Sequence, residues 1–217
     1  MSYKAFDAYA SEYDAWYDSE PGATIFAMEA ECLQPLLHSY RRPYLEVGVG
    51  SGRFAQALGI KYGADPSVAL LQRAKSRDIL VIRAVGETLP FPDSTFGAVL
   101  VALTLCFVAE PLKVLKEAAR VVKPDGALVL GLILQGSPWA DFYVSKGAEG
   151  HPLYRRARFF AKEELEHLLH LANFTVGRYR SVLFQPPGQR HYRSELPVKG
   201  YHHSAGFVAL NCHKLAS

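Results

Sequence analysis

The stretch Leu45-Glu46-Val47-Gly48-Val49-Gly50-Ser51-Gly52 decides the fold of this 217-residue chain. Tyr44–Val47 is a short apolar run of strand type, and three glycines at alternate positions follow it before helical texture begins at Arg53. Glycine lacks a Cβ, so such a turn can be tight and its backbone amides can come close to a bound group. A strand-to-helix turn of this kind suits a nucleotide. Thirteen residues past Gly52 a second apolar run ends in Asp65, with Pro66 and Ser67 as a helix start. An acid at that point can accept from both hydroxyls of a ribose.

Outward from this core the chain alternates apolar runs with helical periods. The runs are residues 44–47, 60–64, 79–83, 98–102 and 127–133, and the helices lie near 53–58, 67–77 and 112–122. That alternation predicts a parallel sheet with crossover helices. Pro124, Asp125 and Gly126 form a turn that stops the third helix and restarts a strand. Residues 135–158 read as a loop-rich insertion, 162–171 as a helix, and 175–184 and 206–211 as two closing strands, which brings the expected number of strands to seven. Upstream, Phe6, Tyr9, Tyr13 and Trp16 recur at helical spacing, opposite a polar face of Asp7, Glu12 and Asp14. A second helix spans 23–37, with Pro35 set to kink or end it. No repeat or low-complexity tract interrupts the pattern. A single domain is expected, with 1–40 as a helical lid, 43–134 as the cofactor-binding core and 135–217 as an acceptor-side insertion with closing strands.

Composition narrows the function. Hydrophobic residues make up 49% and charged residues 21%, enough apolar material for a sizeable core. A net charge of +3 is far from the basic stripe that phosphate neutralisation demands, so nucleic acid is not an expected partner. Cys32, Cys106 and Cys212 have neither a metal-type nor a disulfide-type spacing and read as reduced, buried thiols. Lys4, Asp7, Glu12, Asp14, Asp18 and Glu20 break up the N-terminus, and the longest uncharged apolar stretch, 97–109, is too short for a bilayer crossing of roughly 20 residues. A cytoplasmic location and no membrane partner are the expectation.

The glycine spacing separates two nucleotide-binding readings. The dinucleotide fingerprint needs G-x-G-x-x-G, whereas Gly48, Gly50 and Gly52 give G-x-G-x-G with Glu46 two positions upstream. This resembles motif I of class I S-adenosylmethionine-dependent methyltransferases. Asp65-Pro66-Ser67, Leu89-Pro90-Phe91, Asp93-Ser94-Thr95-Phe96 and the run from Glu117 to Gly126 follow in that family's order and spacing. The resemblance implies a doubly wound, mostly parallel Rossmann-like α/β sheet with an antiparallel C-terminal strand. It also implies S-adenosylmethionine as cofactor, with Gly48, Gly50 and Gly52 along the methionine part and Asp65 and Pro66 at the ribose. Gly86, Glu87 and Thr88 would flank the adenine, and Glu46, Ala102, Leu103 and Tyr13 would complete the cofactor site. Two positions depart from the family pattern, Val85 and Gly97, where Asp is frequent.

Rival readings remain at this level. A plain structural turn and helix cap would explain the glycines and Asp65, an NAD-dependent oxidoreductase shares the strand and acid, and a non-catalytic module could keep the cofactor fold. Tyr13 and Trp16 either cover the sulfonium of the cofactor or dock an apolar stripe on the sheet. His167 with His170 and His202 with His203 lack a fixed ligand pattern and read as solvated surface, so no metal is expected. Arg155, Arg156, Arg158, Arg190, His191, Arg193 and Lys199 either face an anionic substrate or are solvated. A small-molecule methyl acceptor is the expected partner. In-line methyl transfer needs no universal catalytic side chain, and Tyr9, Tyr13, His191 and His202 are the candidates for a base.

Overall fold

The computed structural model describes residues 3–215 and confirms the alternation as a three-layer α/β/α arrangement around one sheet. The strands are β1 (Tyr44–Val47), β2 (Tyr62–Asp65), β3 (Leu80–Arg83), β4 (Phe96–Ala102), β5 (Val122–Leu132), β6 (Phe174–Val182), β7 (Val198–Lys199) and β8 (Phe207–Lys214). Their order is β3-β2-β1-β4-β5-β8-β6-β7. The first five run parallel, and β8 enters antiparallel between β5 and β6. Eight strands replace the expected seven, because the two-residue β7 adds an antiparallel edge on β6.

The helices are α1 (Tyr3–Ala8), α2 (Ala10–Trp16), α3 (Gly22–Leu37), α4 (Arg53–Ala57), α5 (Val68–Lys75), α6 (Pro111–Val121), α7 (Pro138–Ala148) and α8 (Lys162–Leu171). Central strands carry unbroken apolar runs because both faces are covered: every residue of β4 is buried. On one face Val114, Leu115 and Ala118 of α6 and Leu165 and Leu169 of α8 complete the core. On the other, α3 contributes Met28, Leu33 and Leu36, joined by Phe54 of α4 and Leu71 and Ala74 of α5. Pro35 sits in the last turn of α3, which ends two residues later at Leu37.

Three local expectations are corrected. The segment 135–158 is not loop-rich: Ser137 caps α7 by accepting from the Ala140 amide, Pro138 takes the first turn, and Trp139 and Ala140 are buried. A short 3-10 turn at Tyr154–Arg156 follows. Pro124-Asp125-Gly126 does not separate a helix from a new strand, since β5 already begins at Val122. The turn residues form an irregularity within it, where Phe96 pairs with Val122 but Ala98 pairs with Ala127. Gly97 lies opposite this irregularity, and a Cβ there would stand 1.7 Å from the Arg41 carbonyl oxygen. That collision explains why Gly stands where the family often has Asp.

The expected polar face of the N-terminal helix also turns inward in part. The helix breaks at Tyr9, and Asp7 and Asp14 point at the protein. Asp7 accepts from the Ser67 hydroxyl at 2.6 Å and the Ala69 amide at 3.3 Å. Asp14, 5% exposed, receives Arg53 Nε at 2.8 Å and Arg77 Nη2 at 2.9 Å, with Arg73 at 3.4 Å. Asp18 takes both Nη groups of Arg53 at 2.6 Å. An ionic clasp therefore fastens the N-terminal helices across the glycine turn. No helix among the described residues is long and apolar enough to cross a membrane.

Candidate functional site

Strand order reverses between β1 and β4, the point at which a doubly wound sheet opens a crevice at its carboxyl edge. A cavity of about 210 Å3 lies there. Its floor is the glycine turn after β1, one side is Asp65 and Pro66 after β2, another is Ala84 to Glu87 after β3, and the far side is Ala102, Leu103 and Thr104 after β4. Tyr13, Glu46, Gly48, Gly50, Asp65, Pro66, Gly86, Glu87, Ala102 and Leu103 from the sequence reading all meet at this cavity.

Gly52 and Thr88 do not line it. Gly52 heads α4 at φ +84°, and a Cβ there would lie 3.0 Å from the Ala74 Cα, so its role is close packing of the turn on α5. Thr88 closes the turn 85–88 through its amide, which donates to the Val85 carbonyl at 3.1 Å. Gly50 behaves differently. At φ +51°, it would place a Cβ in open space, with nothing nearer than Leu70 Cδ1 at 3.9 Å. This is the point where a ligand can lie against bare backbone.

Asp65 is tied to that point. Its Oδ2 accepts from the Gly50 amide at 3.0 Å and its Oδ1 from the Ser67 amide at 2.8 Å. Each carboxylate oxygen has a second lone pair, so acceptor capacity remains toward the cavity. Burial raises the Asp65 carboxyl above the ordinary range, against the pull of those two amides. Glu46 is 1% exposed, and its Oε2 is buried without a hydrogen-bond partner. Burial, with a smaller contribution from the charge of Asp65, pushes its carboxyl well above the usual range. A buried acid with an orphaned oxygen beside a ligand-sized cavity fits a cationic N–H group, such as the α-ammonium of S-adenosylmethionine. The residues present thus suit this cofactor at both its ribose and its amino-acid end.

The Leu-Pro-Phe segment owes its place to α6. Arg120 donates to the carbonyls of Leu89 and Phe91 and to Asp93, while Glu117 accepts from the Leu89 amide at 2.7 Å and pairs with Arg120. These contacts give a physical reason for the two distant motifs to occur together. Val85 is 42% exposed at the rim, leaving Glu87 as the carboxylate at this edge of the cavity. Leu103 adopts φ +49° where β4 ends, and its amide donates to the Gly131 carbonyl at 2.8 Å.

Sequence reasoning missed several wall residues. Phe6 and Tyr17 come from the N-terminal segment that carries α1 and α2, Phe107 from the 3-10 turn after β4, and Arg53 from α4. Tyr13 and Tyr17 share a hydroxyl–hydroxyl hydrogen bond of 2.9 Å. Tyr17 stands four residues after Tyr13, so extending the aromatic period by one more step would have found it. Beyond these rings a second cavity of about 400 Å3 opens between α1, α2, α3 and α7, sharing Phe6, Tyr13, Tyr17, Leu103 and Phe107 with the first.

Of the four base candidates, His191 and His202 are exposed and line neither cavity. Tyr9 and Tyr13 line the second cavity, but burial drives the Tyr13 hydroxyl far above its usual range, so it retains its proton near neutrality. Arg155, Arg156, Arg158, Arg190, Arg193 and Lys199 are exposed and solvated. Cys32 and Cys212 are buried as expected, whereas Cys106 is half-buried in the wall of the second cavity; burial pushes its thiol up to about 12. Among the described residues no group of three His, Cys, Asp or Glu could hold a metal ion.

Fold and site together define a Rossmann-like nucleotide-binding protein of the methyltransferase kind. The model of the methyltransferase domain family matches residues 45–130. A Thermotoga maritima structure described as a SAM-dependent methyltransferase, possible histamine N-methyltransferase, is 31% identical, with 99% of this chain and 100% of that chain covered and a TM-score of 0.89. An uncharacterized Mycobacterium tuberculosis protein is 47% identical over 202 residues, covering 93% of this chain and 71% of the relative. A demethylmenaquinone methyltransferase of Corynebacterium kroppenstedtii is 31% identical over 83 residues, 38% of this chain and 36% of the relative. The chain belongs to the SAM-dependent methyltransferase family.

Proposed function

We propose that this protein transfers a methyl group from S-adenosylmethionine, bound in the first cavity, to a small-molecule acceptor bound in the second. The observation that carries the reading is the pair of cavities sharing one aromatic wall, with Asp65 and the glycine turn on one side only. Both are small and concave, which suits a ligand that buries most of its surface rather than a nucleic-acid duplex or a flat protein face. The named relatives whose descriptions mention an acceptor mention small molecules, histamine and demethylmenaquinone, and this supports the same class here.

When bound, S-adenosylmethionine supplies a methyl group already activated by a positive sulfur. The chain's own residues then have three tasks. Asp65 would accept from the ribose hydroxyls and, through the Gly50 amide, holds the turn in place; Glu46 would take the ammonium end; Gly86 and Glu87 would flank the adenine. Phe6, Tyr13, Tyr17 and Phe107 exclude water and align the acceptor for in-line displacement. In this scheme residues 1–40 act as the cover, 43–134 as the cofactor core and 135–217, through α7 and the turn after it, as the acceptor side. Formation of S-adenosylhomocysteine over a panel of small amines, phenols, thiols and acids tests the reading. Turnover of none of them, with a binding preference for NAD in melting-shift assays, would overturn it.

A further inference from the structure

The second cavity holds an acid that no described residue neutralises. Glu29, in the middle of α3, is 3% exposed, lines the cavity and has no hydrogen bond or ion pair among the described residues. Placing a carboxyl in an apolar wall without a partner is costly, and Leu or Met would fill the same space without that penalty. The groups that feel its charge are Tyr13 and Tyr17 from the lid, Tyr143 from α7, Tyr154 from the turn after α7, and Cys32 on its own helix. Burial keeps all five protonated and neutral. Neither basic group of the cavity pairs with Glu29: Lys146 Nζ lies over the Phe142 ring, 4.9 Å from its centre, and burial with the charge of Lys146 lowers the His151 pKa. Glu12 is exposed at the rim.

We propose that Glu29 is the acceptor-recognition acid, and that the second cavity takes a small amine which enters as an ammonium ion and pairs with the Glu29 carboxylate among the tyrosine rings. The proposal deepens the small-molecule reading above and rests on it. Tyr13, Tyr17, Tyr143, Tyr154 and Trp139 line the same cavity, and aromatic faces attract a cation most in a desolvated site. A cavity of about 400 Å3 suits an amine with one ring or a short chain.

Burial alone pushes the Glu29 carboxyl up to about 8, so at pH 7 the empty cavity holds mainly the neutral acid. An entering ammonium ion converts it to carboxylate, and its proton leaves to solvent. The reaction then uses the pair in the other direction. An N–H proton passes from the ammonium to a Glu29 oxygen, leaving a neutral amine with a free lone pair. That pair forms the N–C bond to the transferred methyl as the S–C bond breaks and its electrons go to sulfur. The product departs as the N-methylammonium ion, and Glu29 is left protonated, as it began.

The test is calorimetric titration of benzylamine, benzyl alcohol and benzoate into the full chain saturated with S-adenosylhomocysteine, at pH 7 in phosphate and in Tris. Benzylamine should bind tightest and release about one proton, read from the difference in heat between the buffers. In Glu29→Gln the proton release should vanish and benzylamine should bind about tenfold or more weakly, with benzyl alcohol unchanged. Equal or tighter binding of the alcohol or benzoate by the unaltered chain, or no benzylamine binding, overturns the proposal; so does proton release that survives Glu29→Gln. If that variant fails to fold, the ligand ranking and proton release of the unaltered chain decide alone. Benzylamine binding with proton release in a chain that binds no S-adenosylhomocysteine would overturn the methyl-transfer reading and leave the Glu29 assignment standing.

Discussion

At the scale of single residues, two neighbouring glycines and one acid divide binding from stability. Asp65 accepts from the Gly50 and Ser67 amides, so Asp65→Ala loosens the turn that borders the first cavity and would remove the proposed ribose contacts. S-adenosylmethionine should then bind more weakly by roughly 1.5 to 3 kcal/mol, the usual worth of charge-assisted bonds. Unchanged calorimetric affinity would remove Asp65 from the site. Gly50→Val projects a branched side chain into open cavity and should abolish binding with the smaller loss of Tm, whereas Gly52→Val drives a Cβ against the backbone of α5. The latter variant should melt markedly earlier. Equal binding losses and equal melting shifts in the two variants would contradict this division of roles.

Elements interlock through charge as well as apolar faces. Burial works to raise the Asp14 carboxyl, but hydrogen bonds from Arg53, Ser51 and Arg77 outweigh it and hold the group well below the usual range. A depressed folded-state pKa contributes stability that is complete above the unfolded value of 3.8 and is lost as pH falls through the folded one. Asp14→Asn should therefore cost about 2 kcal/mol at pH 7, between an exposed pair and a fully buried one, because the Arg53 and Arg77 side chains keep 17% and 16% exposure. Urea titrations should show the gap between variant and parent narrowing below about pH 3.8; a gap independent of pH would place the clasp's energy elsewhere. None of this was legible in the N-terminal sequence, where Asp7 and Asp14 sit on the face opposite the aromatic stripe and read as solvated. Their partners Arg53, Arg77 and Ser67 are some 40 to 60 residues away, and no local period encodes such a pairing. The parallel strands were legible because burial on both faces leaves continuous apolar runs, and the glycine turn and Asp65 because motif spacing is local. α7 escaped notice because its apolar residues are spread round the helix, Trp139 and Ala140 facing the core while Val144 is 57% exposed. Glu29 escaped because it lies among alternating acids and apolar residues, and its burial in the wall of the second cavity is a tertiary outcome that no local period encodes.

At the scale of the whole molecule, the N-terminal helices are fastened to the sheet-bearing core mainly at the points just described, and the proposed scheme makes them its cover. Phe6, Tyr13 and Tyr17 line both cavities, so in the proposed scheme the N-terminal segment closes the cofactor site and shapes the acceptor site together. The sheet does not depend on them: β1 to β8, the glycine turn and Asp65 all lie downstream of residue 40. Deleting residues 1–18 should leave a folded protein, with a cooperative melt at lower temperature because Arg53 and Arg77 lose their acids. It should retain weakened affinity for S-adenosylmethionine, since Asp65, Glu46 and Gly50 remain. Turnover of any small acceptor should disappear, because water enters between donor and acceptor and the aromatic wall that aligns them is gone. Phe6→Ala combined with Tyr13→Ala in the full chain should show the same separation, keeping the Asp14 clasp while opening the shared wall. A truncated chain that methylated small acceptors as fast as the intact one would show that the N-terminal helices are packing elements and that the acceptor is aligned entirely by α3, α7 and the residues after β4.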